Sequence, residues 1–79
     1  MKLTVRYFAA FRELTGVEME TLDTDASSPS DLFNECAARH TGLQKFTSSM
    51  VAVNDEMVGW DSTLSDGDEV LFFPPVAGG

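Results

Sequence analysis

Cysteine, histidine and positive charge are all scarce in this chain. Its 79 residues hold one Cys, one His and five Lys or Arg, against 13 Asp or Glu. A lone Cys36 cannot close an internal disulfide, which excludes a small secreted scaffold stapled by cross-links and fits a reducing compartment. With one histidine, no Cys-x-x-Cys pair and no glycine-rich phosphate loop, the usual metal and nucleotide motifs are missing. A net charge of −8 and a pI near 4.2 repel phosphate backbones and anionic lipid, so nucleic-acid and membrane-surface roles are excluded. No apolar run approaches the roughly 20 residues that span a bilayer, and Arg6 interrupts the only candidate leader segment. The expected location is cytoplasmic.

The charge deficit is also local. From Phe46 to Gly79 there is no Lys or Arg, while Asp55, Glu56, Asp61, Asp66, Asp68 and Glu69 all fall in that stretch. Such a half is either a solvated acidic face that aids solubility or a surface steered towards a basic partner.

What is present is enough for one small folded domain. The hydrophobic fraction is 43%, with six Phe, one Tyr and one Trp, too apolar for a disordered chain. At this length roughly 60% of the surface can be buried on folding. A multi-step enzyme with its own deep pocket does not fit so small a core.

Lys2 to Phe8 alternates Leu3, Val5 and Tyr7 with Thr4, Arg6 and Phe8, the period of a strand. Ala9 to Leu14 favours a helical turn that Gly16 can end. Val17 to Leu22 alternates again, Val17 and Met19 against Glu18 and Glu20, as a strand near a sheet edge with a charged solvated face. Ser28-Pro29-Ser30-Asp31 is a helix start, with a hydroxyl at the N-cap, Pro at N1 and a carboxylate at N3. Leu32, Phe33, Cys36, Ala37 and His40 then form one apolar stripe, with Glu35 and Arg39 expected as an outward i,i+4 pair. Gly42 stops this helix of about three turns. Leu43 to Ser49 is a loop or short helix. Met50–Val53 and Met57–Trp60 are short strands about the polar turn Asn54-Asp55-Glu56. Asp61 to Asp68 is turn-rich, with Gly67 supplying a positive φ. Glu69 to Phe73 lacks alternation and reads as a central strand covered on both faces. The order gives an α+β plan, a mixed sheet with one main helix packed across it, matching the ubiquitin-like β-grasp with its last strand beside its first. The domain spans residues 1–73 and an extended tail follows over 74–79.

The side chains offer little chemistry. His40 sits at a helix end, where a structural role is expected. Cys36 lies on the apolar stripe with no activating base and reads as a buried, inert thiol. Trp60 reads as core or interface, and Glu18 and Glu20 as a solvated strand face. No metal site is expected.

The tail is different. At about 7% glycine usage, a Gly-Gly end arises by chance in about one chain in 200. Pro74 and Pro75 end the strand and push the tail outward semi-rigidly. Six extended residues reach about 20 Å. Gly78 and Gly79 make a thread able to enter a tunnel that any Cβ would block, and what the thread delivers is its own carboxylate.

Phe72-Phe73-Pro74-Pro75-Val76-Ala77-Gly78-Gly79, preceded by Leu64-Ser65-Asp66-Gly67-Asp68-Glu69-Val70, resembles the small, sulfur-carrying subunit family of molybdopterin synthase. Val5-Arg6-Tyr7-Phe8-Ala9, Phe11-Arg12-Glu13-Leu14-Thr15-Gly16 and Val53-Asn54-Asp55 are similar to that family too. The resemblance implies that an adenylating enzyme related to ubiquitin-activating enzymes uses ATP to activate Gly79. A sulfur donor, such as a cysteine desulfurase or a rhodanese, then makes a thiocarboxylate. The large subunit receives the tail, where the sulfur attacks cyclic pyranopterin monophosphate. Two deliveries build the molybdopterin dithiolene. Gly79 would carry the reacting atom, Gly78 would be the thin neck, and Phe72, Phe73, Pro74, Pro75, Val76 and Ala77 would meet the partner. The subunit itself would bind no permanent cofactor and supply no acid or base, within an expected heterotetramer. A sulfur carrier for thiamin thiazole synthesis, a ubiquitin-like protein modifier and a binding module with an incidental tail remain open beside it.

Overall fold

The computed structural model describes residues 1–43 and 49–73 of the chain. The elements in order are β1 (Lys2–Tyr7), α1 (Ala10–Thr15), β2 (Met19–Asp23), α2 (Pro29–Arg39), β3 (Met50–Val53), β4 (Glu56–Met57) and β5 (Glu69–Phe73). The five strands form one sheet in the order β2-β1-β5-β3-β4. β5 runs parallel to β1 and every other pairing is antiparallel. The last strand therefore lies beside the first at the centre of a mixed sheet, the ubiquitin-like β-grasp expected from the element order.

Alternation explains why one face of this sheet is dry. Leu3, Val5 and Tyr7 of β1, Leu22 of β2, Val51 of β3 and Val70 and Phe72 of β5 are buried on the inner face. They pack against Leu32 and Cys36 of α2, with Phe11, Leu43 and Leu64 completing the core. Burying a large apolar side chain here contributes about 1.5–3 kcal/mol each.

Local chemistry sets the element ends. The Ser28 hydroxyl accepts from the Asp31 N–H at 3.2 Å, with Pro29 opening α2. α1 ends at Gly16, whose φ of 77° places it in the left-handed region and whose N–H returns to the Arg12 carbonyl. Asn54 and Asp55 both take positive φ, 52° and 69°, closing the β3–β4 hairpin with two residues, the mirror-image turn that fits strand twist. Asp66 accepts the Lys2 N–H at 2.6 Å, and the Gly67 N–H donates to the Lys2 carbonyl at 2.7 Å, locking the final turn to the start of β1.

Four expectations are corrected. β2 is inverted: Val17 and Met19 are exposed, whereas Glu20 and Leu22 turn inward. The Glu35–Arg39 pair does not form, because Glu35 accepts from the Thr24 hydroxyl and Arg39 reaches Glu20 instead. β4 covers two residues rather than four, and Trp60 lies beyond it, half-buried against the core. β5 is central but covered on one face only: Val70 and Phe72 are buried, while Leu71 and Phe73 are half-exposed.

Candidate functional site

Pro74, Pro75, Val76, Ala77, Gly78 and Gly79 lie outside the described residues. The structure does place the base from which they leave. β5 is flanked by β1 on one side and β3 on the other, so the chain departs from the middle of the sheet at Phe73. The last inward residue, Phe72, has 0% exposure. Its ring meets Phe33 edge-on at 5.1 Å and stacks on Trp60 at 5.8 Å with an interplanar angle of 10°. The Trp60 Nε1–H donates to the Ser49 carbonyl at 3.2 Å, tying the same aromatic group to the residue before β3. Phe72 thus presents no surface to a partner and anchors the tail base from inside. Phe73 faces the other way, opposite Met50, and is half-exposed.

That outer face is the larger feature. Across it the register aligns Met19, Arg6, Leu71, Ala52 and Met57, one residue from each strand. Phe8 follows β1 with 60% exposure, and Met19 and Met57 are 56% and 52% exposed. Phe11 of α1 and Leu32 and Cys36 of α2 belong to the core on the inner face. The face is mixed: exposed Phe8, Met19, Met50 and Met57 and half-exposed Leu71 and Phe73 stand among Thr4, Arg6, Thr21 and Glu69, and Ala52 is buried. Ala9, directly after Phe8, holds φ 53° and ψ −122°, a region that costs a non-glycine residue about 1–3 kcal/mol and is tolerated where the surroundings enforce it.

On the inner face, the inverted β2 creates a polar cluster that the sequence did not reveal. The Tyr7 hydroxyl donates to Glu20 Oε2 at 2.5 Å, His40 Nε2 lies 2.9 Å from the same oxygen, and Arg39 reaches Oε1 at 3.2 Å. An ionised carboxylate only accepts, so Nε2 is the protonated imidazole nitrogen. Burial of Glu20 favours its neutral form, but the Tyr7 and His40 hydrogen bonds and the Arg39 charge prevail and hold its pKa below the ordinary carboxylate value. Burial, with hydrogen bonds to Cys36 and Glu20, pushes the Tyr7 phenol far above its usual range. Cys36 is fully buried, and burial pushes its thiol up to about 11, only partly offset by its bond with Tyr7. At neutral pH these are a saturated carboxylate, a neutral phenol and a protonated thiol. The cluster clamps the edge strand to the end of α2; it offers neither nucleophile nor base. Among the described residues no three His, Cys, Asp or Glu side chains are grouped to hold a metal ion, and no helix is long and apolar enough to cross a membrane.

Comparison with known proteins extends over the tail. The ThiS family pattern matches residues 5–79. The chain is 38% identical over 80 residues to the molybdopterin synthase sulfur carrier subunit of Escherichia coli K12, covering 98% of this chain and 99% of that one. It is 34% identical over 93 residues to small archaeal modifier protein 3 of Haloferax volcanii, with both chains fully covered. Among solved structures it is similar to a chain in the complex of subunits 1 and 2 of the molybdopterin-converting factor from Helicobacter pylori. That match has a TM-score of 0.68 and 26% identity over the whole of both chains.

Proposed function

The chain belongs to the ThiS family, and from that premise we propose that it is the sulfur-carrier subunit of a molybdopterin synthase. The observation that carries this reading is the full-length likeness to sulfur carrier subunits of that name, 38% identical in Escherichia coli and 34% in Homo sapiens. The geometry supports it. A buried aromatic base and a sheet face with exposed Phe8, Met19, Met50 and Met57 lie at the end of the described domain from which the chain leaves for Gly79, as a delivery arm requires.

A free carboxylate is a poor electrophile. In this reading a ubiquitin-activating-like adenylyltransferase couples the Gly79 carboxylate to the α-phosphate of ATP and releases pyrophosphate. The persulfide of a donor such as a cysteine desulfurase or a rhodanese attacks the acyl carbon and expels AMP, and a thiol then reduces the acyl disulfide, leaving the thiocarboxylate on Gly79 and a disulfide on the thiol side. The resulting thiocarboxylate is ionised and nucleophilic at neutral pH, for the reason that thiolates outperform thiols. The large subunit takes the tail, with Pro74, Pro75, Val76 and Ala77 along its length and Gly78 at the narrowest point. The sulfur bonds to cyclic pyranopterin monophosphate, and water cleaves the acyl–sulfur bond, leaving the sulfur on the pterin and regenerating the Gly79 carboxylate. This subunit's contribution is positioning, and its own side chains hold no proton that the reaction needs. The acidic half of the chain complements a partner site that must bind an anionic substrate and an anionic tail together. The assembly in this reading is a cytosolic heterotetramer with two copies of each subunit.

The test is discharge of charged carrier. Mixing it with purified large subunit and pyranopterin should return the free carboxylate and form the dithiolene, and light scattering should give the mass of a heterotetramer. Charged carrier that stays charged overturns the reading. The likeness to small archaeal modifier protein 3 favours a second one, attachment of Gly79 to lysines. Covalent adducts on target proteins, with no sulfur transfer, would establish that instead.

A further inference from the structure

The outer face holds an arginine whose pairing is slight. Arg6 stands between Met19 and Leu71 in register, with exposed Phe8 two residues along the chain. Among the described residues its ion-pair partner is Glu69, through a single 3.4 Å contact, with the two side chains 46% and 42% exposed. A single contact of that length is weak and leaves most of the guanidinium N–H groups to water. Covering the face removes that water. A guanidinium buried with one long contact keeps unpaired donors, which is heavily penalised. A carboxylate from the covering surface satisfies them in a two-pronged pair that apolar neighbours strengthen.

We infer that Arg6 is a specificity determinant of the docking face, and that the large subunit presents a carboxylate, set among apolar side chains, opposite it. This rests on the reading of the chain as a synthase subunit and names the chemistry of the surface it meets. A second copy of this chain is a poor occupant, since both copies would bring a net charge of −8 into contact. A shifted docking register would set Arg6 against apolar or basic groups, so the same residue rejects wrong poses.

The experiment is titration of the full-length chain into purified large subunit over a range of salt concentrations. Arg6→Met keeps an unbranched apolar stem without the guanidinium and should bind about 10-fold weaker or worse, with a deficit that narrows as salt rises. Arg6→Lys, which keeps the charge without the planar fork, should fall between the two. Glu69→Gln should bind as tightly as wild type or tighter, because Glu69 competes for the guanidinium. Arg6→Met binding within about two-fold of wild type overturns the inference, since two-fold lies far below the loss of one charged pair. So does Glu69→Gln losing as much as Arg6→Met, which would make the pair an internal unit. If the wild-type chain itself does not bind, the synthase reading fails first, and that arm alone shows it.

Discussion

Removing the Glu20 carboxylate tests the account of how this small domain stays folded. Glu20→Ala would strip the buried Tyr7 hydroxyl and His40 of their shared acceptor and release Arg39. An orphaned buried polar group costs about 1–3 kcal/mol. The half-exposed Arg39 adds little, since exposed ion pairs contribute about 0–1 kcal/mol. The expected loss is therefore about 3 kcal/mol, a large part of the roughly 4–12 kcal/mol available to a chain of this length. At about 4–8 °C per kcal/mol, the melting temperature should fall by more than about 10 °C. The acid limb supplies the control. Because the folded-state pKa of Glu20 is lowered, its stabilisation is fully present above the unfolded carboxylate pKa and is lost as pH falls through the folded one. Urea unfolding followed by Trp60 fluorescence, at neutral pH and down into the acid range, reads both effects. Glu20→Gln should lose less at neutral pH and show a shallower acid slope than wild type. A Glu20→Ala variant within about 0.5 kcal/mol of wild type, the range of an ordinary surface substitution, would refute the clamp.

Three further outcomes follow from the geometry. Ala9→Gly should stabilise the fold by about 1 kcal/mol in the same unfolding assay, because glycine adopts the residue's positive φ without strain. Phe72→Ala should cost about 3–5 kcal/mol by emptying the core between Phe33 and Trp60, whereas Phe73→Ala should leave stability within about 1 kcal/mol of wild type and weaken binding to the large subunit. Cys36 should resist thiol reagents in the native chain at neutral pH and react once urea unfolds it, since its thiol is buried and pushed up to about 11.

The elements most legible in the sequence were those specified by neighbours in the chain. The Ser28-Pro29 cap of α2, the alternation of β1, the Gly16 stop and the polar turn at Asn54 and Asp55 all depend on contacts within a few residues. The face of β2 did not. Val17/Met19 and Glu18/Glu20 alternate equally well in either sense, and the choice is made by His40 and Arg39, about 20 positions away, which give Glu20 a reason to turn inward. The Glu35–Arg39 pairing failed for the same reason, since Thr24 and Glu20 compete from outside the helix. β5 shows a different limit. Its apolar run identified a central strand, but apolarity does not say whether the chain's own helix or another protein covers each face. Phe72 is covered by Trp60 and Phe33, while Leu71 and Phe73 are not fully covered by the chain's own residues. The tail motif stands on the sequence alone, since 74–79 lie outside the described residues. The outer sheet face was not legible, because it is assembled from five strands whose register only the fold reveals.

Whether Gly79 carries sulfur can be read from a single mass. The intact mass of the chain would be recorded after incubation with activating enzyme, ATP and a sulfur donor. A carrier should gain the mass of one oxygen exchanged for one sulfur, a gain abolished by deleting Gly79 and reversed by large subunit with pyranopterin. An unchanged mass, under conditions where the same enzymes charge an established carrier, would contradict it.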